Sequence, residues 1–150
     1  MSPKVVKAGL AAAIAGAVLV VQAADYGTSA EAKAMLERAV AAVKANKAHA
    51  LEMFTKGEGG FKEKDLYPFC GGPDGMYTAT PNPALTGTSM RGQKDKVGKP
   101  IGEAFYEATQ DKVTEVPYMW PRPGTTEPAQ KVSYCTKVSD QICCVGFWKP

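Results

Sequence analysis

The residues best suited to chemistry sit late in the chain. Tyr118, Trp120 and Arg122 alternate along one stretch, and Lys131 and Tyr134 follow on the next. Aromatic walls with a cation at the rim suit a small carboxylate, because the rings exclude water and the cation gives charge-assisted hydrogen bonds. Tyr67 and Phe69, in an earlier stretch of similar texture, extend the same wall. The bland alternative is that the rings are sheet core and the cations are solvated loop charges. Tyr77 and Tyr106 read as packing residues.

Other chemistries lack a complete set of residues. The single histidine, His49, lies on the polar margin of a helical stretch, and a catalytic base would need a nucleophile and an orienter beside it. There is no glycine-rich phosphate loop, no Ser/His/Asp set, no credible pair of carboxylates and no haem attachment motif. An enzyme is therefore not expected, and neither is a cofactor. Asp95, within Lys94-Asp95-Lys96-Val97-Gly98, is expected to hold a turn by accepting from nearby backbone amides.

The four cysteines are Cys70, Cys135, Cys143 and Cys144. They form no C-x-x-C pair and His49 lies far upstream, which argues against zinc. An even count in an exported domain points to disulfides.

Export is read from the start of the chain. Lys4 and Lys7 precede an apolar run from Ala8 to Val21, and small residues follow, so residues 1–23 read as a signal peptide cleaved after Ala23 or, alternatively, after Ala24. As a helix that run would rise about 21 Å, short of the roughly 30 Å hydrocarbon core of a bilayer. Cleavage takes two of the 18 basic residues and none of the 15 acidic ones, cutting the net charge from +3 to +1. No basic run with interleaved aromatics remains, so neither nucleic acid nor an anionic membrane is an expected partner, and no stable membrane insertion follows cleavage. Residues 24–150 are enough for one domain with a real core, in the periplasm or secreted.

The elements that must position these residues can be read in order. Thr28 and Glu31 make a capping box, and Leu36, Val40, Val43, Ala50, Leu51 and Phe54 recur at helical spacing. One helix from Ala30 to Thr55 is expected, ended by the glycines at 57, 59 and 60. Leu66–Cys70 and Met76–Ala79 flank Gly71-Gly72-Pro73-Asp74-Gly75 and should form a hairpin. Pro100 is placed to open a short helix with Ile101, Ala104, Phe105 and Ala108 buried. Val113–Trp120, Lys131–Val138 and Ile142–Trp148 read as three strands, with Pro117 favouring an edge position or a bulge. The fold class is α+β, with helices on one antiparallel sheet.

The last turn tests the cysteine pattern. If Ser139-Asp140 is a two-residue loop, Val138 faces Gln141 and Cys135 falls opposite Cys144. Cys143 then points to the other face and is left for Cys70. A three-residue loop would shift Cys135 off Cys144, and Ser-Asp is not a strong type I′ turn.

The run from Asp65 to Trp148 resembles the single Cache domains, the extracytoplasmic sensor modules of bacterial signalling proteins, in particular the second single-Cache type. The resemblance rests on six segments in order: Asp65–Cys70, Ala79–Pro83 with Gly87, Lys94–Pro100, Val116–Gly124, Lys131–Tyr134 and Val145–Trp148. It implies a PAS-like five-stranded antiparallel sheet behind a long N-terminal helix. A small-molecule pocket is implied between the sheet and the loop and short helix that cover it. Thr80 stands where many relatives carry histidine, and Cys135 and Cys144 look like additions to a Cys70 and Cys143 pattern. The expected function is a periplasmic sensor domain for a small organic carboxylate or amino acid, signalling through a membrane receptor or kinase in another chain. The alternative is a structural or interaction module with no small ligand, dimerising through the long helix.

Overall fold

The computed structural model describes residues 26–150, with Gly9 and Gly16 alone from the segment before them. The expected leader over 1–23 therefore lies outside the described residues. Among the described residues no helix is long and apolar enough to cross a membrane.

The first helix begins at the capping box: Thr28 Oγ1 accepts from the Glu31 amide at 3.2 Å, and the Thr28 amide donates to Glu31 Oε2 at 2.8 Å. Helix α1 runs Ser29–Ala45 and buries Ala32, Met35, Leu36, Ala39 and Val43. The single helix expected to Thr55 is interrupted at Asn46, which takes extended backbone (φ −161°, ψ 97°). Asn46 Oδ1 accepts from the His49 amide at 3.1 Å and so caps a second helix, α2 (Lys47–Lys56). A short amide that competes for backbone donors explains the break. Gly57, in the left-handed region at φ 68°, ends α2.

The sheet follows. Strands β1 (Pro68–Gly71) and β2 (Tyr77–Ala79) form the first hairpin, with a bulge at Cys70/Gly71. A long loop leads to α3 (Gly102–Tyr106), then to β3 (Thr114–Pro121), β4 (Pro128–Val138) and β5 (Gln141–Trp148). The order across the antiparallel sheet is β2-β1-β5-β4-β3. Pro117 accordingly lies on an edge strand, where a missing amide donor does least harm.

Several element boundaries shift by one to three residues from the sequence expectation, and two of the shifts have a visible cause. Helix α3 opens at Gly102 rather than Pro100, because the Ile101 and Gly102 amides both donate to the Gln93 carbonyl at 3.0 Å. Strand β4 starts three residues early, since the β3–β4 ladder continues to Pro121 opposite Pro128.

The Ser139-Asp140 loop has two residues: Val138 faces Gln141, and Cys135 faces Cys144. Ser139 supplies the turn by adopting φ 55°. Both disulfides form as the register arithmetic gave them. Cys135–Cys144 has a Cα separation of 4.1 Å and Cys70–Cys143 one of 4.2 Å. Because Cys143 and Cys144 are neighbours on a strand, one bridge lies on each face of the sheet.

Those faces carry two cores. Under α1 and α2 lie Phe54, Leu66, Tyr134, Val138, Val145 and the Cys70–Cys143 bridge. On the other face lie Phe69, Met90, Ile101, Phe105, Val116, Tyr118, Ile142 and the Cys135–Cys144 bridge. The candidate site belongs to the second face.

Candidate functional site

Lys131 is the centre of the site. It is paired with Tyr118 on β3 and with Trp148 on β5, so the three side chains stand on one face. Only 2% of Lys131 is exposed. Its Nζ donates to the Tyr67 hydroxyl at 3.2 Å and lies 4.1 Å from the Trp148 ring centre, 4.8 Å from Tyr67 and 5.9 Å from Tyr118. Among the described residues Lys131 makes no ion pair.

The rest of the cavity is built from five segments. Strand β1 and its lead-in give Tyr67 and Phe69, and β2 with its exit gives Tyr77 and Thr80. The covering loop contributes Leu85 and Gln93, and α3 with its cap contributes Phe105 and Ile101. The far wall is Tyr118 and Trp120 on β3. Phe105 packs edge-to-face on Phe69 (5.4 Å) and on Tyr118 (5.6 Å), and Tyr118 does the same with Trp120 (6.1 Å). Such offset contacts hold the rings in fixed orientation. The free volume is about 20 Å³, little more than one water molecule occupies.

The polar side-chain groups of this cavity's lining are hydroxyls, one amide, one indole N–H and the Lys131 amine. Tyr118 OH and Ser133 Oγ are hydrogen-bonded at 2.8 Å, and Tyr77 OH donates to Gln93 Oε1 at 3.1 Å. Burial raises the pKa of Tyr118 and of Tyr77, so both stay neutral hydroxyls. Burial works to lower the pKa of Lys131, and the oxygens of Tyr118 and Tyr67 work to raise it. The cavity lining holds this one amine and no carboxylate side chain.

Asp95 holds the covering loop to the sheet. Its Oδ1 accepts from the Val97 and Lys99 amides at 3.0 and 2.8 Å, and its Oδ2 accepts from the Met119 amide at 3.0 Å. The expected turn is present and does more than expected, since the last bond fixes the loop beside Trp120. His49 is exposed on α2.

Of the seven residues picked out in the sequence, Tyr67, Phe69, Tyr118, Trp120 and Lys131 line one cavity. Tyr134 and Arg122 do not. Tyr134 is three residues from Lys131 on the same strand, an odd spacing that turns it to the opposite face. There it hydrogen-bonds Ser29 Oγ at 2.5 Å and stacks on Phe147. Arg122 lies beyond β3; it donates to the Lys149 carbonyl at 2.8 Å and covers the Tyr26 ring at 4.1 Å. Tyr77, read as packing, lines the cavity, as do Thr80, Leu85, Gln93, Ile101 and Phe105. For Thr80 a signal existed, since the resemblance had already singled out its position. Leu85 and Gln93 sit in a loop whose path no periodicity describes.

A helix-backed, five-stranded antiparallel sheet with a cavity under a loop and a short helix defines a PAS-like α+β domain. Solved structures of similar fold include a methyl-accepting chemotaxis protein from Vibrio parahaemolyticus RIMD 2210633, at 23% identity and a TM-score of 0.62. The match covers 79% of this chain and 86% of that one. A periplasmic sensor domain of a chemotaxis protein matches at 23% identity and 0.59, covering 79% and 88%. A Cache chemosensory domain solved for its carboxylic acid recognition matches at 21% and 0.56, covering 79% and 86%. No curated protein matches the chain. The Cache domain family model matches residues 31–147, and the chain belongs to that family.

Proposed function

We propose that this protein is a periplasmic sensor domain that binds a small organic monocarboxylate at Lys131. The observation that carries the reading is a fully buried ammonium facing a cavity without an acidic side chain. A carboxylate complements such a group by charge-assisted hydrogen bonds; the ammonium has three donors, one of them given to the Tyr67 hydroxyl. Membership of the Cache family supports the sensing role. The similar domain solved for carboxylic acid recognition supports the ligand class.

The same lining separates the two ligand classes that the sequence left open. An amino acid would bring an ammonium into a cavity with no anion to receive it, next to a cation already there. A dicarboxylate would bury a second charge opposite hydroxyls and rings, at a cost of several kcal/mol. The free volume holds little more than a water, so even a ligand of a few heavy atoms must displace part of the lining. That volume also favours the second reading, a scaffold with no ligand, and the two give opposite results in one experiment.

Thermal unfolding against acetate, propionate, pyruvate, alanine and succinate decides between them. A monocarboxylate at 100 times its dissociation constant should stabilise the fold by about 2.7 kcal/mol, with no shift from alanine or succinate. Lys131→Met should abolish the shift. No shift from any monocarboxylate at tens of millimolar would overturn the reading in favour of the scaffold. Cleavage after Ala23 or Ala24, the matching proposal for the leader, is checked by sequencing the N-terminus of the exported protein. Signalling would pass to a membrane receptor or kinase in another chain, to be captured by crosslinking with and without ligand.

A further inference from the structure

The Lys131 ammonium lies over β5, one strand away from where its backbone starts. Its Cα lies on β4, and its hydroxyl partner Tyr67 leads into β1, with β5 running between them. Strands in a sheet are about 4.8 Å apart, so reaching across β5 takes nearly the whole length of a lysine side chain. The residue it must cross is Gly146. Gly146 faces Ser133 on β4, and the pairing of Pro68 with Val145 puts it level with Tyr67 on the other side. By alternation with Cys144 and Trp148 its missing side chain would point into the cavity face.

The clearance there is small. A Cβ built on Gly146 would stand 2.3 Å from Lys131 Cε, 2.7 Å from Ser133 Oγ and 3.2 Å from Lys131 Nζ. Carbon atoms do not approach to 2.3 Å, so any other residue at 146 and the observed Lys131 conformation exclude each other. The backbone does not demand glycine, since Gly146 is absent from the positive-φ glycines. A glycine inside a strand costs stability through chain entropy and lost packing. Here the empty position forms a furrow across β5.

We infer that Gly146 is a positioning residue of the carboxylate site: it lets Lys131 lie across β5 and fixes the depth of the ammonium against Tyr67 and Trp148. The inference rests on the carboxylate reading for its functional consequence, but the furrow itself is testable without ligand. Gly146→Ala keeps the allowed backbone and adds one methyl group where Lys131 Cε lies. The side chain must lift out, and the amine leaves both the Tyr67 hydroxyl and the Trp148 ring.

Two measurements separate the furrow from the ligand. In the ligand-free protein, the Lys131 Hε resonances should be moved upfield by the Trp148 ring, whose centre is 4.1 Å from the amine. In Gly146→Ala they should return toward ordinary lysine positions, while amide shifts remote from β4 and β5 hold. By calorimetry, acetate should bind Gly146→Ala at least tenfold more weakly than the parent. Unchanged Lys131 shifts in Gly146→Ala would overturn the inference, as would parent-like acetate affinity. If the parent binds no monocarboxylate, the carboxylate reading fails and the resonances alone decide the furrow. Should Gly146→Ala not fold, the double variant Gly146→Ala/Lys131→Ala decides. Its folding shows that the methyl group collides with Lys131, and its failure to fold overturns the assignment.

Discussion

Lysine is among the side chains least often buried without a partner, and the energetics of Lys131 follow from that. Taking an ammonium out of water costs several kcal/mol, and only one hydroxyl and three ring faces offset it here. Lys131→Met replaces the charge with an apolar chain of similar length, so the ligand-free variant should melt at the parent temperature or above it. A residue kept for structure would give the opposite result, a fall of several degrees by calorimetry. Ser139 is a second residue at which one substitution is informative. At φ 55° it occupies a conformation that costs an L-residue about 1–2 kcal/mol, which glycine avoids while losing more chain entropy on folding. Ser139→Gly should therefore gain about 0.5–1 kcal/mol in urea unfolding without moving the disulfides. Residue type and alternation picked out Lys131, Tyr118, Trp120, Tyr67 and Phe69, which line one cavity. They failed for Arg122, which leaves the strand before it can follow the pattern, and for Tyr134, whose spacing from Lys131 is odd. Gly146 escaped notice because a functional absence of side chain leaves no chemical mark in a sequence.

At the scale of elements, the helical signal was read correctly in extent and wrongly in continuity. Periodicity from Leu36 to Phe54 survives a one-residue interruption, so the pattern alone cannot reveal that Asn46 ends one helix and starts the next. The break has a purpose in packing: it lets Ala50 and Phe54 stay buried over the sheet face that Leu36 and Val43 already cover. Asn46→Ala removes the acceptor for the His49 amide and leaves that donor to water. A loss of about 1 kcal/mol is expected by chemical denaturation, typical for an N-cap. A gain would mean that a straight helix fits equally well and that the cap is incidental. The strands were legible because β-branched and aromatic runs were separated by dense turn signals, and the two-residue loop then fixed the register. The covering loop between β2 and α3 was not legible. Its course is set by single long-range bonds, from Asp95 to the Met119 amide and from the Ile101 and Gly102 amides to Gln93, which no local pattern encodes.

Across the whole molecule, two kinds of long-range tie hold the cavity's two halves together, and they respond to different conditions. The disulfides join β1, β5 and β4, the central strands, and closing the 73-residue separation of Cys70 and Cys143 is worth about 4 kcal/mol of chain entropy. The covering loop has no such bridge; Asp95, together with the Lys96 amide on the Met119 carbonyl and Lys99 Nζ on the Pro117 carbonyl, ties it to β3. Burial works to raise the Asp95 pKa, but the amides of Met119, Lys99 and Val97 together outweigh it and hold it below the ordinary aspartate value. A group depressed in the folded state adds stability that is complete above its unfolded pKa, about 3.9, and is lost as pH falls through the folded value. Glu31 and Asp140 are shifted the same way, by Lys64 and Thr28 and by Gln141 and Lys47 respectively, though both are exposed and weigh less. Urea unfolding should therefore give constant stability from pH 7 to about 5 and a decline below pH 4. The Asp95→Asn variant cannot gain a proton at this position, so it should start less stable at pH 7 and decline less steeply. Because its lost bond anchors the loop beside Trp120, acid should also loosen the cover before the sheet, seen as faster hydrogen exchange at Val97, Lys99 and Met119 while β4 and β5 stay protected. Equal acid slopes for the parent and Asp95→Asn would show that the carboxylate does not tie the cover to the sheet.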